Sequence, residues 1–173
     1  MPKQLMILRH AKSDWNTDAA SDFERPLAGR GIKDAPRMGS WMGRHGLQPE
    51  YVISSPALRA WQTVVPVCRK LGIAETDIHW DGRAYLADVE SLLEVLAECP
   101  GGAGSVLLVG HNPGLEELVE HLCGDDAARP ADGKLLPTAT LARITVPDDW
   151  TGLPPDSGSL VGITRPRDLK AEA

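Results

Sequence analysis

The sequence predicts one α/β domain, spanning residues 1–173, built on a mostly parallel sheet. Three short apolar segments, each typical of a buried strand, alternate with segments that show the three-to-four-residue apolar period of a helix. Two of these strands end in a charged or imidazole group, the first in Arg9-His10 and the third in Gly110-His111. A chain of 173 residues is long enough for one domain with a substantial core.

The first strand, Leu5–Leu8, delivers Arg9 and His10 to its carboxyl end. In open α/β sheets ligands bind at the carboxyl ends of the strands, so this pair stands where a site is expected. The plainer interpretation is a strand that meets solvent, because Arg and His commonly flank strands.

The first helix follows Leu27 and ends near Gly46. Pro36 within it predicts a bend or a delayed start. Its apolar face consists of Ala35, Met38 and Met42.

The second helix follows the strand Tyr51–Ile53 and the start signal Ser54-Ser55-Pro56. Arg59 lies in its first turn and off its apolar stripe, where a charged side chain can point into the crevice above the sheet. A solvated surface arginine is the alternative. The stripe consists of Ala57, Trp61, Val64, Cys68 and Leu71.

Two more helices and three strands complete the chain. Asp88 is a candidate cap for the third helix. The clearest strand, Ser105–Val109, leads to the fourth helix, with Asn112 predicted as its N-cap and Pro113 as its first residue. The last two strands are predicted at Thr140–Val146 and Leu160–Thr164, and the inward residues of the third helix are Val89, Leu92, Leu93 and Leu96.

Composition and charge exclude several function classes. The net charge of -6 and the pI near 5.3 disfavour nucleic acid and anionic membranes as partners. A protein with this acidic net charge can still contain a small cationic pocket. The sequence shows no signal-peptide pattern and no run of membrane-spanning length, so we expect a cytoplasmic protein. Cys68, Cys99 and Cys123 form no CxxC pair and are expected to be reduced core residues.

The two histidine-bearing strands predict a phosphate site. If both are central in one parallel sheet, their ends bring His10, Arg9 and His111 into one crevice, joined by Arg59. One guanidinium group can bind two phosphate oxygens at once, and a neutral imidazole can attack phosphorus. A metal site on the two imidazoles is the alternative, but adjacent arginines repel a cation, so we expect neither a metal nor another cofactor. The other histidines, His45, His79 and His121, are interpreted as having no role.

Four motifs spread over the chain carry a family resemblance. They are Leu8–Ser13, Arg25–Leu27 with Gly31 and Ala35, Ser54–Thr63 and Val109–Gly114, and the segments Leu136–Thr138 and Arg165–Arg167 add to them. Together they resemble the histidine phosphatase (phosphoglycerate mutase-like) superfamily, most closely its SixA-type phosphohistidine phosphatase branch, over residues 5–169. The resemblance implies a three-layer αβα sandwich with helices on both faces of a mostly parallel sheet.

The resemblance also implies a role for each matched residue. His10 would be the nucleophile and would become transiently phosphorylated. Three further catalytic residues would clamp the phosphoryl group: Arg9, Arg59 and His111. Two substrate-binding residues are implied in the phosphate pocket: Ser13 and Asn16.

Two departures from the wider family bear on the substrate. Ala11 stands where many relatives have glycine, and alanine at this position is common in the SixA-like branch. Larger relatives also carry a glutamate that protonates an alkoxide leaving group, whereas the corresponding stretch Trp80–Tyr85 offers only Asp81, a weak candidate acid. A protonated imidazole leaves more readily than an alkoxide, so a site with a weak proton donor favours a phosphorus–nitrogen bond.

The leading hypothesis is a metal-independent phosphatase that hydrolyses phosphohistidine in a phosphoprotein through a covalent intermediate on His10. The alternatives are a small-molecule phosphomonoesterase and a non-catalytic phosphate-recognition module. The chain has no long insertion that would form a lid, which favours a protein substrate. We therefore expect a phosphoprotein or a small phosphorylated substrate as partner, and neither nucleic acid nor membrane; the oligomeric state stays open.

Catalysis by His10 requires a neutral imidazole. We expect the surrounding arginines to lower its pKa. Its second ring nitrogen is expected to donate to a backbone carbonyl, which fixes the tautomer.

Overall fold

Six strands form one sheet in the computed structural model, which describes residues 1–124 and 132–172. They are β1 (Lys3–Arg9), β2 (Tyr51–Ser54), β3 (Ile78–Trp80), β4 (Ser105–Gly110), β5 (Leu141–Val146) and β6 (Ser159–Thr164). The order in the sheet is β3-β2-β4-β1-β5-β6, in which β1 to β4 are parallel and β5 and β6 pair antiparallel at one side. The mostly parallel sheet is confirmed; β3, of three residues, was not predicted.

Helices cover both faces of this sheet. They are α1 (Gly29–Arg44), α2 (Leu58–Lys70), α3 (Val89–Ala97) and α4 (Gly114–Cys123). Alternate side chains of β1 point to opposite faces: Leu5 and Ile7 join the core under α3 and α4, whereas Met6 and Leu8 join the core under α1 and α2. The three-layer αβα arrangement follows from these two cores.

The pairing of β1 with β4 sets the position of the two histidines. The parallel register places Arg9 beside Gly110, the last pair of the ladder. The next residue, His10, continues the contact, because its backbone N–H donates to the Gly110 carbonyl at 3.1 Å. The carboxyl ends of β1 and β4 therefore lie side by side, so the side chains that follow the two strands share the crevice there.

The structure corrects two local predictions. Trp61 is 45% exposed rather than part of the α2 stripe, because the buried face of α2 is turned toward Arg59 and Ala60; Trp61 instead packs on Trp80 with ring centroids 5.1 Å apart. Asn112 is not the N-cap of α4, which begins at Gly114.

Two other local predictions, the Asp88 cap and the unpaired core cysteines, are confirmed. The Asp88 carboxylate accepts from the Ser91 backbone N–H at 2.8 Å and caps α3. The delayed start predicted as one alternative for Pro36 is wrong, because α1 begins at Gly29 and contains Pro36; the bend stays a prediction. The three cysteines are buried and unpaired in disulfides. Within the described ranges, no helix has both the length and the apolar character needed to cross a membrane.

A glycine near the start of α1 allows this helix to pack against the loop that carries Lys12. A Cβ at Gly31 would collide with the Lys12 carbonyl oxygen, whereas a Cβ at Gly29, in the same turn, would meet nothing within 4 Å. We expect Gly31→Ala to lower the free energy of unfolding by about 1–3 kcal/mol through overpacking. Urea unfolding followed by circular dichroism measures this.

The matched control is Gly29→Ala, which adds the same methyl group in open space. It is expected to leave stability unchanged or to raise it by up to about 1 kcal/mol, since alanine has the higher helix propensity. Equal effects of the two substitutions would contradict the close approach at Gly31.

Candidate active site

His10 and His111 lie side by side where β1 and β4 end. Their ring centroids are 5.1 Å apart with the planes tilted by 50°. Both side chains are buried, at 6% and 3% exposure. The structure therefore brings together the two imidazoles that the strand ends predicted.

Hydrogen bonding fixes the tautomer of His10. Its Nδ1 lies 2.7 Å from the backbone carbonyl of Ala11, and because a carbonyl only accepts, Nδ1 carries the proton. This confirms the expected contact with a backbone carbonyl. Nε2 is left with its lone pair and makes no hydrogen bond within residues 1–124 and 132–172. The arrangement presents Nε2 as a free nucleophile.

The pKa of His10 is lowered to about 4. Burial is the largest cause, and the positive charges of Arg9, Arg59 and Arg25 add to it, while the hydrogen bond to Ala11 opposes it. The arginines act as expected, but burial, which the sequence analysis did not consider, contributes more. The ring is therefore neutral at pH 7, as an attacking imidazole must be.

His111 is held by the hydroxyl of Ser55, whose Oγ lies 2.8 Å from Nε2. The same Oγ accepts from the Ala57 backbone N–H at 3.2 Å, so we assign the hydroxyl proton to the bond toward Nε2. Nδ1 then carries the ring proton, and it is buried without a partner. Burial first, then His10 and Arg59, lower the pKa of His111 to about 3. Its Nδ1–H can donate to an anion.

Arg59 points inward from the first turn of α2, as its place at the helix start predicted, and is 3% exposed. One terminal nitrogen donates to the backbone carbonyl of Asp22 at 2.6 Å, and the other donates to its Oδ2 at 2.9 Å. Nε is buried without a partner. The carboxylate thus holds one edge of the guanidinium and leaves Nε–H to another acceptor.

Asp22 is a residue that the sequence analysis missed. Its carboxylate accepts from the Tyr85 hydroxyl at 2.6 Å, from Arg59, and from Arg25 Nε at 3.0 Å. These hydrogen bonds, that of Tyr85 first, keep the pKa of Asp22 well below its usual range, so the carboxylate is ionised. The Tyr85 ring stands edge-on to His111, with centroids 5.3 Å apart. No motif marks Asp22, which begins a short 3-10 helix, Asp22–Glu24, in a polar stretch of the chain.

Arg9 completes the cationic side of the site. A terminal nitrogen donates to the Leu136 carbonyl at 3.2 Å, and its Nε is buried without a partner. Burial is the main cause of its lowered pKa. The Ala139 backbone N–H reaches the carbonyls of Arg9 and His10, at 3.1 and 3.0 Å, so the segment of residues 136–139 closes one side of the site.

The amide of Asn112 ties the start of α4 to the same segment. Its Nδ2 donates to the Leu136 carbonyl at 2.8 Å and to Glu116 at 3.1 Å. Both bonds use Nδ2, whereas Oδ1, the atom that would accept a hydrogen bond in an N-cap, is buried and has no partner among the described residues.

The hydrogen bonds of Ser13 and Asn16 are made with residues other than His10 and His111. Ser13 is buried, and its Oγ accepts from Arg25 at 2.9 Å. Asn16 is exposed, and its backbone N–H donates to Asp14 at 2.8 Å. A direct role of either residue in binding phosphate stays a prediction.

Asp81 does not offer a proton donor. Arg83 binds both of its oxygens, at 3.0 and 2.7 Å, and these hydrogen bonds lower the pKa of the carboxyl. In the described parts of the chain, no three His, Cys, Asp or Glu side chains are grouped so that they could hold a metal ion. Whether a metal takes part is untested, and its absence stays a prediction.

Comparison with known proteins identifies the family. A family profile described as Histidine phosphatase superfamily (branch 1) matches residues 5–83. Phosphohistidine phosphatase SixA from Escherichia coli K12 is 30% identical over 152 residues, which cover 86% of this chain and 89% of that protein. The chain belongs to the SixA branch of the histidine phosphatase superfamily.

Solved structures support this membership in the SixA branch. The protein histidine phosphatase SixA complexed with tungstate matches with a TM-score of 0.78 and 27% identity, over 96% of this chain and 99% of that one. A mycobacterial glucosyl-3-phosphoglycerate phosphatase shares the fold alone, at 18% identity and a TM-score of 0.64 over 93% of this chain and 98% of that one. As a SixA-branch member, the chain is a phosphatase with the phosphoglycerate mutase-like fold.

The buried histidines predict how stability depends on pH. Both folded-state pKa values, about 4 and about 3, lie below the ordinary 6.5, so the unfolded chain binds more protons between pH 6.5 and 4. Stability should therefore rise with pH across this window and level off above 6.5. From pH 7 to 5 we expect a loss of about 2 kcal/mol for each histidine, measured by urea unfolding.

His10→Gln should reduce this slope. His79→Gln, which removes an exposed histidine, is the matched control. A wild-type stability that stays flat from pH 7 to 5 would contradict burial of neutral imidazoles.

Proposed function

We propose that this protein hydrolyses phosphohistidine in a phosphoprotein and that Nε2 of His10 carries the phosphoryl group between the two half-reactions. The observation that carries the proposal is the state of His10, which is neutral, tautomerically fixed and free at Nε2 beside two guanidinium groups. A site for binding alone needs the arginines and not a poised nucleophile. The non-catalytic alternative is therefore disfavoured.

Three unpartnered N–H groups support an anionic ligand at this site. They belong to Arg9 Nε, Arg59 Nε and His111 Nδ1, and each is buried. Buried donors in native proteins nearly always have an acceptor, so three such donors around one nucleophile favour a ligand with several oxygens. A phosphoryl group has three, and charge gathers on them in the transition state. The tungstate bound to a SixA relative is likewise a tetrahedral oxyanion.

The proposed reaction has two displacements at phosphorus. Nε2 of His10 forms a bond to phosphorus while the bond to the substrate imidazole breaks, and the electron pair of that bond returns to the substrate ring. Water then attacks phosphorus, the bond to Nε2 breaks, and its electrons return to His10. Inorganic phosphate leaves with the water oxygen, and the proton passes to solvent. The Ala11 carbonyl holds Nδ1–H and so stabilises the positive charge on the phosphorylated ring.

The ionised state of two candidate proton donors favours a phosphorus–nitrogen bond in the substrate. Asp22 and Asp81, the carboxyl groups considered above, are both held ionised by hydrogen bonds. An alkoxide needs a proton as it leaves, whereas a substrate imidazole protonated at its other nitrogen leaves as a neutral ring. The name of the Escherichia coli relative agrees with this substrate class.

Replacing the nucleophile tests the covalent intermediate. We expect His10→Ala to fold and to lose turnover of a phosphohistidine peptide by at least about 1,000-fold, because the attacking nitrogen is gone. Mass spectrometry of the wild type after rapid alkaline quench should find one phosphoryl group on the peptide that contains His10. Phosphate on another residue, or wild-type turnover in the variant, would contradict the assignment; His79→Ala is the control.

Two substrates separate the leading function from its nearest rival. The ratio of kcat/KM for a phosphohistidine peptide to that for an alkyl phosphomonoester, glycerol 3-phosphate, should be large, since the alkoxide that leaves from the second substrate needs a proton donor. A ratio below one would favour a small-molecule phosphomonoesterase.

Removing Arg59 tests the phosphate clamp. We expect Arg59→Ala to weaken binding of inorganic phosphate by about 1.5–3 kcal/mol, which is about 10- to 150-fold in Kd, because a charge-assisted contact is lost. Isothermal titration calorimetry measures this affinity. Arg69→Ala, at the exposed end of the same helix, is the matched control and should bind as the wild type does.

A further inference from the structure

A second cationic feature lies outside the catalytic constellation. It is a groove of about 450 Å³ between α1, the segment of residues 132–138 and the segment of residues 165–167. We call it the basic groove, and its cationic side chains are Arg30, Lys33, Arg37, Lys134, Arg165 and Arg167. Asp34 and Asp132 also line it, so six cations against two carboxylates leave a formal charge of +4 in a protein whose net charge is -6.

One of the six cations holds the groove together. The side chain of Arg165 is 7% exposed and binds the two carboxylate oxygens of Asp132 at 2.8 and 3.3 Å. It also donates to the Lys134 carbonyl at 2.5 Å. Arg165 therefore fastens the wall at residues 165–167 to the wall at residues 132–134, and its charge is already used.

Three other cations are free to bind an external anion. Lys33, Lys134 and Arg167 are exposed, and among residues 1–124 and 132–169 none of them has a carboxylate within 4.0 Å, although the charge of Arg167 helps to lower the pKa of Asp132. They come from three separate segments of the chain. The remaining two cations, Arg30 and Arg37, each place one guanidinium nitrogen 3.9 Å from a carboxylate oxygen of Asp34, which is a long ion pair. Concentrating like charges in this way costs folding energy, so an anionic ligand is the natural complement.

The basic groove adjoins the catalytic constellation through shared walls. Pro137 and Thr138, which line it, lie between Leu136, the acceptor of Arg9, and Ala139, whose N–H donates to the His10 carbonyl. The other wall is the start of α1, which packs at Gly31 against the loop after His10. An extended chain with its phosphohistidine at His10 can therefore lay flanking residues along the groove.

We propose that the basic groove docks an acidic segment of the phosphoprotein substrate, on the same chain as the phosphohistidine. This inference rests on the proposed function and adds its partner class. The free cations are spread over separate segments and along a groove of about 450 Å³, which suits carboxylates spaced along a peptide better than one small anion. Electrostatic complementarity of this kind selects partners and raises the rate of encounter.

Three substrates test the docking. Two are synthetic peptides with one central phosphohistidine, one flanked on both sides by Asp and Glu and the other by Asn and Gln at the same positions. The third is free phosphohistidine, which has no flanks. For the wild type, the acidic peptide should have a kcat/KM at least about 10-fold higher than the neutral peptide, mostly through KM, and added salt should reduce the difference.

Charge reversal locates the effect. The double variant Lys33→Glu with Arg167→Glu should abolish or invert the preference for the acidic peptide while turnover of free phosphohistidine stays at the wild-type level. Lys33→Gln with Arg167→Gln should give an intermediate preference. Arg69→Glu, which reverses an exposed charge on α2, should keep the wild-type preference and controls for net charge.

The outcomes separate the two proposals. Equal kcat/KM for both peptides in the wild type, or a preference that persists in the double variant, would overturn docking and leave the phosphatase proposal intact. If none of the three phosphohistidine substrates is hydrolysed while p-nitrophenyl phosphate is turned over, the proposed function is overturned and the docking with it. Loss of free phosphohistidine turnover in both double variants would show that the groove residues serve the reaction site instead.

Discussion

The parallel pairing of β1 with β4 is the contact on which the active site depends. It ends with Arg9 beside Gly110 and continues with the hydrogen bond from His10 to the Gly110 carbonyl. Both strands are buried on both faces, so a slip of one residue would exchange the side chains packed in the two cores and disrupt the packing of both. The same burial that fixes the register also removes water from the imidazoles. Neutral histidines at pH 7 are therefore a consequence of the fold.

Such a site is costly to the free protein. Two buried guanidinium groups and an imidazole each keep an N–H without an acceptor, and buried charge is expensive unless it is paired. Asp22 offsets part of this cost, since it binds Arg59 on one edge and Arg25 on another. It binds Arg59 through a terminal nitrogen and Arg25 through Nε, and it leaves the Nε of Arg59 unpaired. The remaining cost falls when an oxyanion binds, so part of the binding free energy comes from relieving unpaired donors.

The sequence predicts what depends on strand ends and misses what depends on contacts between loops. His10, Arg9 and His111 follow buried strands, and α/β topology alone brings such positions together. Asp22 carries no local signal, because its importance comes from Arg59, at the start of α2, and Tyr85, far along the chain. The prediction for Trp61 was wrong because an apolar residue on a helix was assumed to face the core, whereas the buried face of α2 includes Arg59 and Ala60 and leaves Trp61 exposed. Asn112 likewise does not cap α4, and its Nδ2 donates to the carbonyl of Leu136, which is distant in the sequence.

Charge distribution links the active site to the basic groove. An acidic partner is repelled by most of the surface of a protein with a net charge of -6, and attracted at the basic groove, whose lining residues Pro137 and Thr138 lie between two residues that contact the active site. Repulsion elsewhere disfavours encounters in wrong orientations, so the overall acidity sharpens recognition instead of opposing it. Screening by salt acts more strongly on the exposed Lys33 and Arg167 than on the buried Arg59. Rising ionic strength should thus weaken partner selection before it weakens the hold on the phosphoryl group.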